Sequence, residues 1–577
     1  MSAKIFGFIV IVSVTSVFYS CVDSLKSGQQ QVPVVDESPM AMMLESTLKD
    51  VNDSVSLAFM GNKLFTSRMI KSFYELNKNY PVWTSGMKPN QKALEMMHLL
   101  SRTMYYGLDT CFYQYSELKD LCSILDKQND PELNKKAVEF ELLMTHNCFK
   151  LMSHMRYGIL WADTSIYDYN QAKYPSNFPE KLYGYLTKGE LTADILELQP
   201  KSYEYRRLIK GLEYFLDRTT LTSNIQEMPD PKTDSVLAYQ TARKLLIENN
   251  YLSSGEGGSN FTGMIYPEPK ASGPSPDNDQ FSYCSFEDSI LLGALKEFQK
   301  DHGLSPDGRI GFHTLKALQQ SNRDRFEQIA VNLERLKWEK SRPARYVYVN
   351  LPAYRLRVIN DYNIVKTFNV VVGAQGTPTP LLNSNIEYFI TNPEWNVPFS
   401  ISHNELLPRI KNDSTYLARH NYRIFDKDRN PVKNINWTDV ENGNFNYSIQ
   451  QGAGSGNALG KIKFIFPNPY NVYIHDTQDK AKFTKDIRAY SHGCMRVQDP
   501  QELAKTLLSL ESENMVDSVD TWLSRSDRKK IDFPEPIPVF VRYVTCEADT
   551  KGEITFFQDI YGMDKTVKEQ LFANHDF

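Results

Sequence analysis

Nineteen residues after His475, a cysteine sits in the run Ser491-His492-Gly493-Cys494-Met495-Arg496-Val497, and these residue types at this spacing suit acyl transfer. A thiol attacks a carbonyl as its thiolate, so it needs a base within reach, and an imidazole on an adjoining strand could supply one. The stretch from Tyr470 to Thr477 reads as such a strand, with Val472 and Ile474 toward a core and Tyr473 and His475 on the other face. A third group must orient the imidazole. A backbone carbonyl and the Asp476 side chain are both candidates, and the residues alone do not choose between them. Gly493 lets the backbone approach a substrate carbonyl closely and leaves amide N–H groups for an oxyanion. Arg496 lies two residues beyond Cys494 and on a strand shares its face, where a fixed cation suits a substrate carboxylate.

The elements that must position these residues fall into three regions. Residues 58–215 are dominated by helical spacing, as in Ala93, Met96, Met97, Leu100 and Met104, and read as a helical scaffold domain. Its methionine and aromatic stripes are core, and His98, His146 and His154 are structural or surface histidines. Residues 231–320 read as a three-helix module. Its helices are expected at 234–249, at 288–300 (Ile290, Leu291, Ala294, Leu295 and Phe298 on one face) and around Thr314, Leu315 and Leu318. A loop rich in Gly, Ser and Pro is expected over 253–280. From 345 to 563 the period changes to two, with Val347 and Val349 alternating with Tyr346, Tyr348 and Asn350. This β-rich region holds the candidate chemistry, and the less regular 402–449 is expected as a lid inserted over a groove.

A chain of 577 residues is too long for one compact core, so the fold class is multidomain α+β. The net charge of −5 argues against a general nucleic-acid binder, which needs a basic face. Lys4 followed by the apolar run Ile5–Phe18, then Ser20 and Cys21, has the order of a secretory signal. A small residue directly before a cysteine resembles a bacterial lipobox, which makes 1–21 a signal with lipid attachment at Cys21. The polar run 22–57 then reads as a tether. The remaining cysteines are 111, 122, 148, 284 and 546, among which a Cys111–Cys122 bridge and free buried thiols are equal readings. No CxxC pair or HExxH occurs, and neither a metal nor a cofactor is expected.

The constellation of His475, a gap, then Ser491-His492-Gly493-Cys494 resembles the signature of L,D-transpeptidases of the YkuD fold. The likeness widens to the large multidomain murein L,D-transpeptidases through Val331–Arg335, Arg345–Asn350, Thr379-Pro380, Asn392–Pro398, Asn457–Gly460 and Asp559–Gly562, and more loosely through Tyr80–Trp83. The run Phe298-Gln299 to Thr314-Leu315, with Gly303-Leu304, Asp307-Gly308 and Gly311, resembles the peptidoglycan-binding type 1 domain. The resemblance implies Cys494 as nucleophile and His475 as general base. It implies His492 and Gly493, with Ser491, around the oxyanion hole, and Arg496, with Tyr473 and Trp395, on the substrate side. The implied reaction releases D-alanine from tetrapeptide stems through a Cys thioester and forms 3→3 cross-links. L,D-carboxypeptidase activity on the same stems, and a non-catalytic cell-wall tether, are the alternatives. Peptidoglycan stem peptides and a membrane reached through the lipid anchor are the implied partners, for a monomeric, periplasm-facing lipoprotein of the inner or outer membrane.

Overall fold

The computed structural model describes residues 39–572 apart from 60, 128–131, 168–172, 224–226, 254–288, 434, 442–445, 455 and 512–514. Cys21, Cys284 and nearly all of the Gly/Ser/Pro-rich stretch therefore lie outside the described residues. The described helical N-terminal region, three-helix module and β-rich C-terminal region form a multidomain α+β chain.

The scaffold region is built round one long helix, Leu133–Tyr157, which is buried on almost every face from Ala137 onward. A helix with so little solvent contact must satisfy its polar groups internally. Its Glu141 accepts the Tyr74 hydroxyl (2.7 Å), the amides of Val82 and Trp83 (3.0 and 2.9 Å) and the Thr84 hydroxyl (2.7 Å). The Tyr80–Trp83 segment is thus pinned to the scaffold centre by one carboxylate. The expected tether contains a helix instead: Pro39–Leu48 places Met40, Leu44 and Leu48 at a spacing of four and buries all three in the scaffold core. Cys111 and Cys122 are free thiols, as are Cys148, Cys494 and Cys546.

The three-helix module consists of Ser235–Glu248, Ser289–Asp301 and Phe312–Leu318. Leu291, Ala294, Leu295 and Phe298 form its core, while Ile290 is exposed rather than on the inner face. Gln299 ties the module's turn together. It accepts the Gly308 amide (2.7 Å) and donates to the Asp307 carboxylate (2.9 Å) and the Arg309 carbonyl (2.8 Å).

Helix Asn322–Lys337, capped by the reciprocal Ser321–Asp324 pair, then runs through the middle of the molecule and is buried along most of its length. It joins the regions by polar contacts. Glu334 accepts the Leu160 amide (2.6 Å), Asn332 bonds Thr545 in both directions (2.7 and 2.8 Å), and Arg335 pairs with Asp564. Asp564 belongs to a terminal helix, Met563–Phe572.

Beyond it the main sheet closes on itself. The strands follow in space as Asn363–Gly373, Met495–Val497, Ile474–His475, Ile462–Ile465, Leu382–Thr391, Lys529–Arg542, Tyr346–Asn350 and Arg355–Asn360, and the last pairs again with the first. Ala489–Ser491 adds to the outer edge of Asn363–Gly373. Alternation fills the barrel with Val347, Val349, Val370, Val372, Phe389, Phe464, Ile474, Met495 and Val539. The expected lid is a small domain of its own. Four short strands, Trp395–Asn396, Tyr422–Phe425, Pro431–Val432 and Ser448–Gln451, form a sheet over a separate core that includes Val397, Leu406, Ile410, Ile424 and Ile449.

Candidate active site

Strands Ile474–His475 and Met495–Val497 run parallel, with Ile474 opposite Met495 and His475 opposite Arg496, and the Met495 amide donates to the Tyr473 carbonyl at 3.0 Å. Cross-strand neighbours share a face. Ile474, Met495 and Val497 therefore enter the barrel core, and Tyr473, His475, Cys494 and Arg496 meet on the other side.

His475 is buried, and its Nδ1 lies 2.5 Å from the Asp476 carbonyl oxygen. A carbonyl only accepts, so Nδ1 carries the proton and Nε2 of the neutral ring has a free lone pair. Burial, then the nearby Arg496 cation, pull the imidazole down to about 3, so it is neutral at ordinary pH. The orienting group is thus a backbone carbonyl. The Asp476 side chain is occupied elsewhere, accepting from the Lys461 amide (2.8 Å), the Thr477 amide (2.7 Å) and Lys480 Nζ (2.6 Å). That carboxylate packs against Gly460, whose φ is +60° and whose Cβ, were there one, would lie 2.2 Å from an Asp476 oxygen.

Burial raises the Cys494 thiol above its ordinary pKa. Against this act hydrogen bonds from the Tyr473 backbone and hydroxyl, then the cations Arg496 and Lys463. Tyr473 is itself held protonated, chiefly by burial and then by the sulfur beside it, so its hydroxyl is a standing donor; its oxygen also contacts Trp395. Lys463 lies opposite His475 on the next strand, with its ammonium 5.4 Å from the Tyr473 ring centre. Arg496 is half-buried, its Nε has no partner, and no carboxylate among the described residues pairs with it.

The turn carrying the thiol is fixed from several sides. Gly493 has φ +102°. A Cβ there would meet only ordinary contacts, the nearest at 3.6 Å, so the dihedral and not space demands glycine. Ser491 Oγ donates to the Cys494 carbonyl (2.5 Å) and accepts the Gly493 amide (3.2 Å), so this serine braces the turn. Thr379 Oγ1 donates to the Gly493 carbonyl (2.8 Å) and accepts the Gly373 amide (2.9 Å). The Tyr561 hydroxyl donates to the Gly373 carbonyl (2.7 Å) and accepts the Thr379 amide (3.2 Å). His492 turns outward, and its Nε2 lies 2.7 Å from Glu405 of the inserted domain.

Cys494, His475, Tyr473, Arg496 and Trp395 therefore converge, whereas the side chains of Asp476 and Ser491 serve the loops and His492 faces the insertion. Lys463, Thr379, Tyr561 and Glu405 also belong here. Thr379 and Tyr561 stand in segments that the sequence already marked, but Lys463 and Glu405 reach the site only through strand register and the folding of the insertion.

Residues 344–527 match the L,D-transpeptidase catalytic domain (YkuD), 68–212 match the "Scaffold domain", and 288–318 match the "Putative peptidoglycan binding domain". A Haemophilus influenzae protein described as a "Putative L,D-transpeptidase" is 33% identical over 320 residues, covering 54% of this chain and 63% of that protein. The chain thus spans under two thirds of that relative's length.

Proposed function

We propose that the chain is a peptidoglycan L,D-transpeptidase that forms 3→3 cross-links through a thioester on Cys494. The observation that carries this reading is a neutral imidazole, with its Nε2 lone pair free, on the same sheet face as the thiol. His475 Nε2 takes the thiol proton as sulfur bonds to the carbonyl carbon at the L-centre of diaminopimelate in a tetrapeptide stem. The tetrahedral adduct collapses by breaking the C–N bond to D-alanine, whose nitrogen leaves with the proton from His475. The side-chain amine of a second stem then attacks the thioester and gives its proton to His475. Collapse breaks the C–S bond, and the sulfur recovers that proton.

Amides of the turn around Gly493 face the developing oxyanion in this scheme, and Arg496 takes a stem carboxylate. The inserted domain would exclude water from the thioester. Its tie to the nucleophile turn through Glu405 and His492 is exposed, with side chains 38% and 49% accessible. That looseness favours a second reading, in which water attacks the thioester and the product is a tripeptide from L,D-carboxypeptidase activity.

Muropeptide analysis tests both readings. Dimers of 3→3 type that vanish in Cys494→Ala support the first, whereas tripeptides alone support the second. If mass spectrometry finds no adduct on Cys494 after carbapenem exposure, and neither product appears, the chain is a tether and the catalytic reading falls. The apolar run before Ser20-Cys21 supports export to the cell envelope and a lipid anchor at Cys21. Loss of metabolic fatty-acid labelling in Cys21→Ala checks that anchor.

A further inference from the structure

Where the scaffold, the peptidoglycan-binding domain and the barrel meet there is a cleft of about 1470 Å3, and neither Cys494 nor His475 lines it. The strands Tyr346–Asn350 and Arg355–Asn360 contribute the faces that carry Tyr346, Tyr348, Arg355 and Arg357, turned away from the barrel core. Its walls come from the start of helix Tyr203–Arg218 and from Lys300 and Gly303–Pro306, the turn of the peptidoglycan-binding domain. That turn is docked firmly, since the Asp486 carboxylate accepts both the amide (2.8 Å) and the hydroxyl (2.5 Å) of Ser305.

Ten basic and five acidic side chains line the cleft, on a chain whose net charge is −5. Several of the cations are neutralised. Arg342 pairs with Glu204 (2.8 Å) and Glu339 (3.4 Å), and Arg357 takes both oxygens of Glu547 (2.9 and 2.5 Å). Two are not. Among the described residues, neither Arg355 nor Arg488 has a carboxylate within ion-pairing distance. Among the described residues Arg488 donates to two carbonyls, of Lys485 (3.3 Å) and Tyr354 (3.4 Å), lies over the Tyr354 ring, and keeps its Nε buried without a partner. Burial, then the neighbouring Arg355, pull Arg488 down to about 10, with Tyr354 and Asp486 acting against them. The nearby anions are engaged: Asp486 by Ser305 and Glu547 by Arg357.

We propose that this cleft is a second, non-catalytic peptidoglycan site, in which Arg355 and Arg488 together take a carboxylate of a stem peptide. Planar guanidinium groups match a carboxylate by paired hydrogen bonds, and an anion between them relieves their repulsion. Tyr203 and Tyr362, each 61% exposed, offer apolar faces beside the cations, which suits a glycan bearing acidic peptides. A site here would hold one strand at a fixed offset from the thiol while the catalytic face works on its stem. The inference rests on peptidoglycan being the substrate.

The test uses full-length Cys494→Ala protein and a soluble disaccharide-tetrapeptide carrying a photo-crosslinker, with linked residues mapped by mass spectrometry. Crosslinks are expected in two groups, one near residue 494 and one within 300–306 or 346–364. In Arg355→Gln/Arg488→Gln the second group should fall by about ten- to a hundredfold, the effect of losing a charge-assisted bond, while the first persists. The Arg488→Lys variant should fall less, because charge remains. Persistence of the first group also shows that the variant is folded. If every crosslink maps near 494, or the double variant leaves the second group unchanged, or an oligonucleotide of similar charge displaces the probe equally well, the cleft is not this site. If no crosslinks form anywhere and the wild-type chain makes no 3→3 dimers, it is the peptidoglycan reading itself that fails.

Discussion

Replacing Tyr473 by Phe isolates one stabilising contact to the nucleophile. The hydroxyl donates to the sulfur, so it favours the thiolate over the thiol. A hydrogen bond to a charged group is worth about 1.5–3 kcal/mol. At about 1.4 kcal/mol per pKa unit, its loss raises the Cys494 thiol by about 1–2 units. The Tyr473 backbone contact, Arg496 and Lys463 remain, so the thiol still titrates. Below the pKa, the thiolate fraction drops by about 10- to 100-fold, but each thiolate gains nucleophilicity with a Brønsted slope near 0.4–0.5. The net alkylation rate at neutral pH should therefore fall by roughly 3- to 16-fold, with the inflection of the pH profile displaced upward. The assay is iodoacetamide labelling from neutral to alkaline pH, followed on the peptide containing Cys494. Peptide-level detection is needed because Cys111 is exposed, although burial and Asp109 push its thiol up to about 11. Trp395→Phe is the control, since it removes the contact on the far side of the hydroxyl and should act less. An unmoved inflection in Tyr473→Phe, or one displaced downward, refutes the assignment of this hydroxyl to the sulfur.

Gly493→Ala should be strained by roughly 1–3 kcal/mol through its positive φ and should lose carbapenem acylation, read by denaturant melts and adduct mass. Glu405→Gln removes a half-exposed pair worth under about 1 kcal/mol, so stability should barely change. Yet muropeptide products should shift from dimers toward tripeptides, and an unchanged ratio would sever the insertion from water exclusion. Asp564→Ala leaves Arg335 charged and buried without its carboxylate, and should cost about 3–5 kcal/mol in urea unfolding. His146, His302 and His475 all sit near 3 because burial disfavours their charge. The unfolded chain therefore binds protons that the native one refuses. Stability present above about 6.5 should be lost as pH falls toward 3, by up to roughly 1.4 kcal/mol per pH unit for each histidine, and thermal melts of His146→Gln should show a shallower acid slope.

The candidate catalytic face was legible because strand alternation is a local rule. Tyr473 and His475 share a side by counting, as do Cys494 and Arg496, and only the parallel pairing of the two strands had to come from the fold. The scaffold stripe Ala93, Met96, Met97 and Leu100 was readable for the same reason, being buried at helical spacing. The helix Pro39–Leu48 was missed because Ala41, Met42 and Met43 are apolar as well, so no one-sided stripe stands out, and only packing against the long scaffold helix shows which side chains are buried. The Asp476 side chain stood beside a backbone carbonyl as a candidate to orient His475 because it follows it in sequence. Its carboxylate instead braces the Gly460 loop, a contact set by strand pairing that no local pattern announces.

The same logic explains why residues beyond the matched catalytic region belong to the site. Lys529–Arg542 pairs with Leu382–Thr391 on one side and Tyr346–Asn350 on the other, so the barrel does not close without it. Just after it, the Tyr543 hydroxyl donates to Asp559 (2.5 Å) and accepts the Tyr561 amide (2.8 Å). Tyr561 in turn holds Gly373 and Thr379, and Thr379 holds the Gly493 carbonyl. The position of the thiol therefore depends on a chain of hydrogen bonds that starts about 65 residues downstream of it. Apart from the Tyr543–Asp559 bond, each link joins a rigid aromatic or a short hydroxyl side chain to backbone, which keeps the Gly493 turn in a conformation that the dihedral alone would not favour.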